Sequence, residues 1–134
     1  MWIFCNDSMM SIVADKDNPN KLLVRARIAG DIERVFPDAE VFESWTSDYN
    51  FRAYINRDIV ADTISDRLFD IEYTNFKDSI DKTESARKSA YLSVWSTMLN
   101  LQDRLLTRLP WYERYGIDKE DPIYKETSKK KKRK

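Results

Sequence analysis

The clearest alternation of apolar and polar positions lies in the segment 21–28. Successive side chains of a strand point to opposite faces, so this alternation predicts a strand with one buried face. Arg25 and Arg27 share its polar face. The predicted buried face carries Leu22, Val24, Ala26 and Ile28.

Four other segments have the short apolar runs that are typical of strands. They span residues 2–4, 9–14, 41–45 and 49–55. Polar residues at 6–8 predict a turn between the first two of these strands. Thr46, Ser47 and Asp48 predict a turn between the last two, which we expect to form a hairpin.

Apolar residues at helical spacing predict a short helix over 31–36, which Pro37 ends, and a longer helix from residue 57 or 58. Thr74 is a candidate N-cap for a further helix that starts over residues 75–77. Residues 90–109 form the strongest amphipathic helix, ended by Pro110, and its apolar stripe places Trp95 in the core. The polar segment 81–89 is expected to be a loop or an exposed helical turn.

This order of elements, β-β-β-α-β-β-α-α, predicts an α+β fold with an antiparallel sheet and helices packed on one face. We prefer a ferredoxin-like sandwich. The predicted domain covers residues 1–110. A C-terminal extension follows over 111–128, and a disordered basic tail over 129–134.

Composition excludes several kinds of chemistry. The 134 residues include no histidine, one cysteine and two glycines. A Cys-His or Ser-His pair, a histidine-ligated metal, a thiolate zinc site and a glycine-rich phosphate loop are therefore excluded. No cofactor is expected. The single Cys5 is expected in the core, and the chain is expected to be cytoplasmic, without a signal peptide or a membrane span.

The formal net charge of zero is a sum over unlike parts. The final six residues are all basic: Lys129, Lys130, Lys131, Lys132, Arg133 and Lys134. Residues 1–128 hold 17 basic and 23 acidic residues, a net charge of −6. The tail would attract nucleic acid without sequence preference, and a merely solubilising tail is the alternative.

Several short motifs carry a resemblance to a known group of proteins. The start Met1-Trp2-Ile3-Phe4 and the later Ser11-Ile12-Val13 resemble the opening of small bacterial and phage proteins of unknown function. The likeness covers roughly residues 1–102. It continues at Leu23-Val24-Arg25-Ala26-Arg27, Asp48-Tyr49-x-Phe51-Arg52, Tyr73-x-Asn75-Phe76-Lys77 and Tyr91-x-x-Val94-Trp95. The resemblance implies a fold and candidate residues, but no activity.

Seven polar residues form the candidate binding site. They are Arg25, Arg27, Asp48, Tyr49, Arg52, Asn75 and Lys77. Guanidinium groups on one sheet face can grip a carboxylate or a phosphate, because the guanidinium fork matches both. Tyr49 and Tyr54 could stack a nucleic-acid base beside a phosphate that the guanidinium groups hold. The alternative is a solvated face of weak ion pairs.

A ladder of carboxylates in the second helix is the other candidate for chemistry. Asp58, Asp62, Asp66 and Asp70 recur every four residues. Such carboxylates could bind Mg²⁺, although a helical stripe of charge is usually a solvated face.

We expect a small non-enzymatic binding protein that contacts a host protein or complex, with inhibition of a host defence system by a phage protein as one such role. A Mg²⁺-dependent phosphodiesterase or nuclease is one alternative. Binding of nucleic acid through the tail is another.

Overall fold

The structure is a computed structural model that describes residues 1–120, 122 and 125. The predicted basic tail over 129–134 lies outside the described residues. The chain divides into two compact units, residues 1–85 and 86–134. The expected domain boundary at residue 110 stays a prediction.

The first unit is built on a five-stranded sheet. Its strands are β1 (Trp2–Phe4), β2 (Met9–Ala14), β3 (Lys21–Ala26), β4 (Phe42–Glu43) and β5 (Phe51–Asn56). They lie in the order β1-β2-β3-β5-β4, and every neighbouring pair is antiparallel. All five strands were expected from the sequence, and the predicted pairing of the last two is present.

The helices of the first unit are α1 (Asp31–Val35), α2 (Arg57–Phe69) and α3 (Phe76–Ser79). Helix α4 (Ser85–Leu106) begins at the end of that unit, and almost all of it belongs to the second, as does α5 (Trp111–Arg114). None of the helices among the described residues is long and apolar enough to cross a bilayer.

One face of the sheet packs against α1 and α2. Alternate residues of β2, β3 and β5 meet apolar residues of these two helices, so the period-two pattern of the strands produces the core. The core contains Met10, Ile12, Val24, Ala26, Ile32, Val35, Phe36, Ala53, Ile55 and Val60. The predicted α+β fold, an antiparallel sheet with helices, is confirmed.

The strand order does not show the ferredoxin-like sandwich that the sequence favoured. That sandwich is built from split βαβ units. Here β1, β2 and β3 follow one another as adjacent antiparallel strands, and β4 and β5 form a second hairpin beside β3.

Several sequence expectations are wrong in detail. Helix α4 spans Ser85–Leu106, whereas the expected helix ran over 90–109, because the polar first turns hide the start of the apolar stripe. Those first turns lie in the segment for which a loop or an exposed helical turn was expected. The cap of α3 is Asn75, not Thr74, since the Asn75 side chain accepts hydrogen bonds from the backbone of Lys77 and Asp78. Trp95 is 53% exposed rather than in the core, and Cys5 is only half-buried.

Candidate binding site on the sheet

A row of paired residues crosses the sheet on the face opposite α1 and α2. From β1 to β4 the row is Trp2, Ser11, Arg25, Arg52 and Phe42, each opposite the next in register. Residues directly opposite in an antiparallel sheet share a face. We call this surface the arginine face.

The segment between β4 and β5 brings a tyrosine onto the arginine face. Tyr49 is only 3% exposed. The guanidinium carbons of Arg25 and Arg27 lie 4.8 and 4.2 Å from the centre of its ring. These distances place both arginines in cation–π contact with one ring.

Backbone carbonyl groups of the same segment hold the guanidinium groups in position. Arg27 donates to the Asp48 carbonyl at 2.6 Å, and Arg52 donates through Nε to the Tyr49 carbonyl at 3.1 Å. We call Arg25, Arg27 and Arg52, together with Tyr49 and Asp48, the arginine cluster. Five of the seven predicted site residues are therefore brought together.

The cluster holds more positive than negative charge. Nη2 of Arg52 lies 3.5 Å from Oδ1 of Asp48, whose side chain is 64% exposed. Arg25 donates to the Ser11 hydroxyl at 2.8 Å, and its buried Nε has no acceptor in the part of the chain that the structure describes. Among the described residues, neither Arg25 nor Arg27 forms an ion pair with a carboxylate. The cluster thus holds three guanidinium groups and one carboxylate, which pairs with Arg52.

Aromatic side chains lie beside the cluster on the same face. Phe42 and Tyr54 stack with ring centres 5.8 Å apart and are 41% and 46% exposed. Tyr54 follows Arg52 by two residues in β5, so both point to the arginine face. Guanidinium groups and exposed aromatic rings together can hold a ligand that combines acidic and apolar groups.

The other two predicted site residues are Asn75 and Lys77. Among the described residues, no hydrogen bond, ion pair or ring contact links either of them to the arginine cluster. The Asn75 Oδ1 accepts from the backbone nitrogens of Lys77 and Asp78, at 3.0 and 3.4 Å. Asn75 thus acts as the N-cap of α3, and Lys77 lies within that single-turn helix.

The predicted ladder of carboxylates follows α2 without converging on a common point. Asp58, Asp62 and Asp66 are exposed along the helix, and Asp70 is its C-cap. Within the described residues, no three acidic or cysteine side chains are grouped closely enough to hold a metal ion.

A second polar network, which was not predicted from the sequence, lies in the first unit. Arg67 of α2 donates to both carboxylate oxygens of Asp7, at 2.9 and 3.2 Å, and to the Arg34 carbonyl. Arg34 donates to the Asp7 carbonyl and to Glu84. The network joins the β1–β2 turn to α1 and α2. Its members are far apart in the chain, so no local motif marks it.

The Asp7–Arg67 pair affects the protonation of the Asp7 carboxyl. Partial burial raises the pKa of the Asp7 carboxyl, but the hydrogen bonds from Arg67 and Ser8 outweigh burial and leave that pKa below its ordinary 3.8. A lowered folded-state pKa contributes stability that is present above about pH 4. That contribution is lost as the pH falls through the folded pKa.

We therefore expect Asp7→Asn to lower the free energy of unfolding by about 1 kcal/mol at pH 7, since the pair is partly exposed. The deficit should shrink as the pH falls below about 4, because Asp7 then becomes protonated in the parent as well. Urea unfolding from pH 7 to pH 3 measures it. Asp66→Asn, an exposed neighbour on α2, is the control. A deficit that does not change with pH would contradict this role of Asp7.

Comparison with known proteins finds no matching family model, no matching curated protein and no matching solved structure.

Proposed function

We propose that this chain is a non-enzymatic binding protein that holds an acidic segment of a partner protein on the arginine face. The observation that carries the proposal is the pair Arg25 and Arg27, fixed against Tyr49 with no carboxylate partner among the described residues. Fixed guanidinium groups lose little conformational entropy when they bind, which favours them as recognition groups.

The carboxylates of the partner would complete the charge balance of the cluster. Bidentate contacts between guanidinium and carboxylate groups are strong and directional. The exposed rings of Phe42 and Tyr54 would pack against apolar residues that flank the acidic segment. Aromatic residues and arginine are the types enriched at protein interfaces.

Overall charge favours a protein partner over a nucleic acid. Residues 1–128 carry a net charge of −6, so a long polyanion is repelled by most of the chain. Nucleic-acid affinity comes largely from neutralising many phosphates in a row. A short acidic segment needs only a local positive site.

The resemblance to small bacterial and phage proteins supports one further part of the proposal. We take the partner to be a protein of a bacterial host, in the cytoplasm. Inhibition of a host defence system is a role that fits a small binding protein of this kind.

The test uses a fluorescently labelled ten-residue glutamate peptide as the probe. Because the basic tail would also bind that probe, the parent carries glutamine at residues 129–134. Fluorescence anisotropy should show binding that Arg25→Gln with Arg27→Gln weakens about tenfold or more, since each charge-assisted hydrogen bond contributes about 1.5–3 kcal/mol. A labelled oligo-dT of the same net charge serves as the second probe.

The matched control is Lys16→Gln with Lys82→Gln, which removes two exposed positive charges elsewhere in the first unit. It should leave peptide binding within about twofold, because distant exposed charges are screened by salt. Equal loss in both double variants would show attraction by overall charge and defeat the proposal. Tighter binding of oligo-dT through the same arginines would identify nucleic acid as the ligand instead.

A further inference from the structure

Helix α4 exposes an arc of large apolar side chains along most of its length. Met98 is 56% exposed and Leu105 is 52% exposed. The other exposed apolar residues in or just after α4, Trp95 aside, are Leu92, Val94, Leu99, Leu101, Leu106 and Leu109. Water-soluble monomers rarely expose a continuous apolar surface of this extent, so the arc marks an interaction surface.

The arc has the spacing of a coiled-coil seam. Met98 and Leu105 are seven residues apart, as are Val94 and Leu101, and the two pairs interleave as a and d positions. Leu92, Leu99 and Leu106 repeat at the same interval and widen the arc on one side. A repeat of seven residues keeps one seam facing a second helix.

We propose that this arc is the dimerisation surface of the protein and that its occupant is α4 of a second copy. The first argument is area. The exposed fractions of the eight residues other than Trp95 correspond to on the order of 600 Å² of apolar surface. A standard interface buries about 800 Å² per copy, of which about 65% is apolar in homodimers.

The second argument is charge. Residues 89–102, which carry five of the eight arc residues, contain no charged side chain, so this part of two arcs can meet without repulsion between like charges. A partner recognised by charge would find nothing to pair with there. A membrane surface is disfavoured as well, because an interfacial helix carries Lys or Arg along its polar face. Over residues 89–102 the polar positions are instead the uncharged Ser89, Ser93, Ser96, Thr97, Asn100 and Gln102, and Arg104 follows them.

The test is the mass of the full chain in solution. Sedimentation equilibrium over about 1–200 μM should show twice the 16.0 kDa of one chain at the upper concentrations. Met98→Glu with Leu101→Glu should return the mass to one chain, because each dimer would bury four carboxylates. Ser96→Glu with Asn100→Glu is the matched control on the polar side and should remain dimeric.

A second measurement tests the same surface without the glutamate variants, in case those variants do not fold. With Cys5→Ser as background, Met98→Cys should form a disulfide-linked dimer under mild oxidation, whereas Ser96→Cys should not. A parent that stays monomeric throughout overturns the proposal. So does a dimer that persists in the folded glutamate variant, or one that cross-links equally through both cysteines. Binding of the monomer to lipid vesicles would show that the arc meets a membrane instead.

Discussion

Replacement of Tyr49 by alanine should lower the free energy of unfolding by about 3–4 kcal/mol. Tyr49 is 3% exposed, and truncating a buried aromatic side chain typically costs 3–5 kcal/mol. The ring also faces the guanidinium groups of Arg25 and Arg27, and such contacts add about 0.5–2 kcal/mol. The same change should abolish peptide binding, because the ring positions both arginines. Urea unfolding and anisotropy measure the two effects.

The control is Tyr49→Phe, which keeps the aromatic ring. It should lose less than about 1 kcal/mol and keep its affinity for the glutamate peptide. If Tyr49→Ala is as stable as the parent, the ring does not anchor the segment between β4 and β5. If the alanine variant binds the peptide normally, the arginines do not depend on Tyr49.

Replacement of Asp31 by alanine should cost about 2–4 kcal/mol. Asp31 is fully buried in the first turn of α1, and its Oδ2 accepts from the backbone nitrogen of Met9 at 2.9 Å. Its Oδ1 lies 3.7 Å from Nη1 of Arg34. Without the carboxylate, the Met9 amide loses its acceptor, which alone costs about 1–3 kcal/mol.

Glu33→Ala provides the control for Asp31. Glu33 lies in the same helix turn but is exposed, so its loss should change stability by less than about 0.5 kcal/mol. Asp31→Asn keeps an acceptor for Met9 and should fall between the alanine variant and the parent. Thermal unfolding of the four proteins ranks them. Equal stability of Asp31→Ala and Glu33→Ala would contradict the role given to the buried carboxylate.

Much of the fold could be predicted because its elements are local. Alternation through Val24 and Ala26 identified β3, and Pro110 marked the region where α4 ends. Strand order could not be predicted, because pairing of β3 with β5 depends on contacts some 30 residues apart in the chain. The exposure of Trp95 was missed for a related reason: a helical stripe shows that a helix has an apolar face, not what covers it.

The candidate site was predicted in part for similar reasons. Arg25 and Arg27 could be placed together because they share one strand, and Arg52 because its strand was expected nearby. The burial of Tyr49 under both arginines had no local signal, since it depends on how the segment between β4 and β5 folds back. Asn75 was grouped with them by its motif, whereas the structure uses it as a helix cap.

Side-chain NMR of the arginines tests the proposed binding site most directly. In the chain with the neutralised tail, ¹H–¹⁵N signals of the Arg25, Arg27 and Arg52 guanidinium groups should shift as the ten-residue glutamate peptide is added. The signal of Arg57, an exposed arginine at the start of α2, should stay in place. Shifts confined to these three arginines are the predicted result. Unchanged signals at all three, or equal shifts at Arg57, would contradict binding at the arginine cluster.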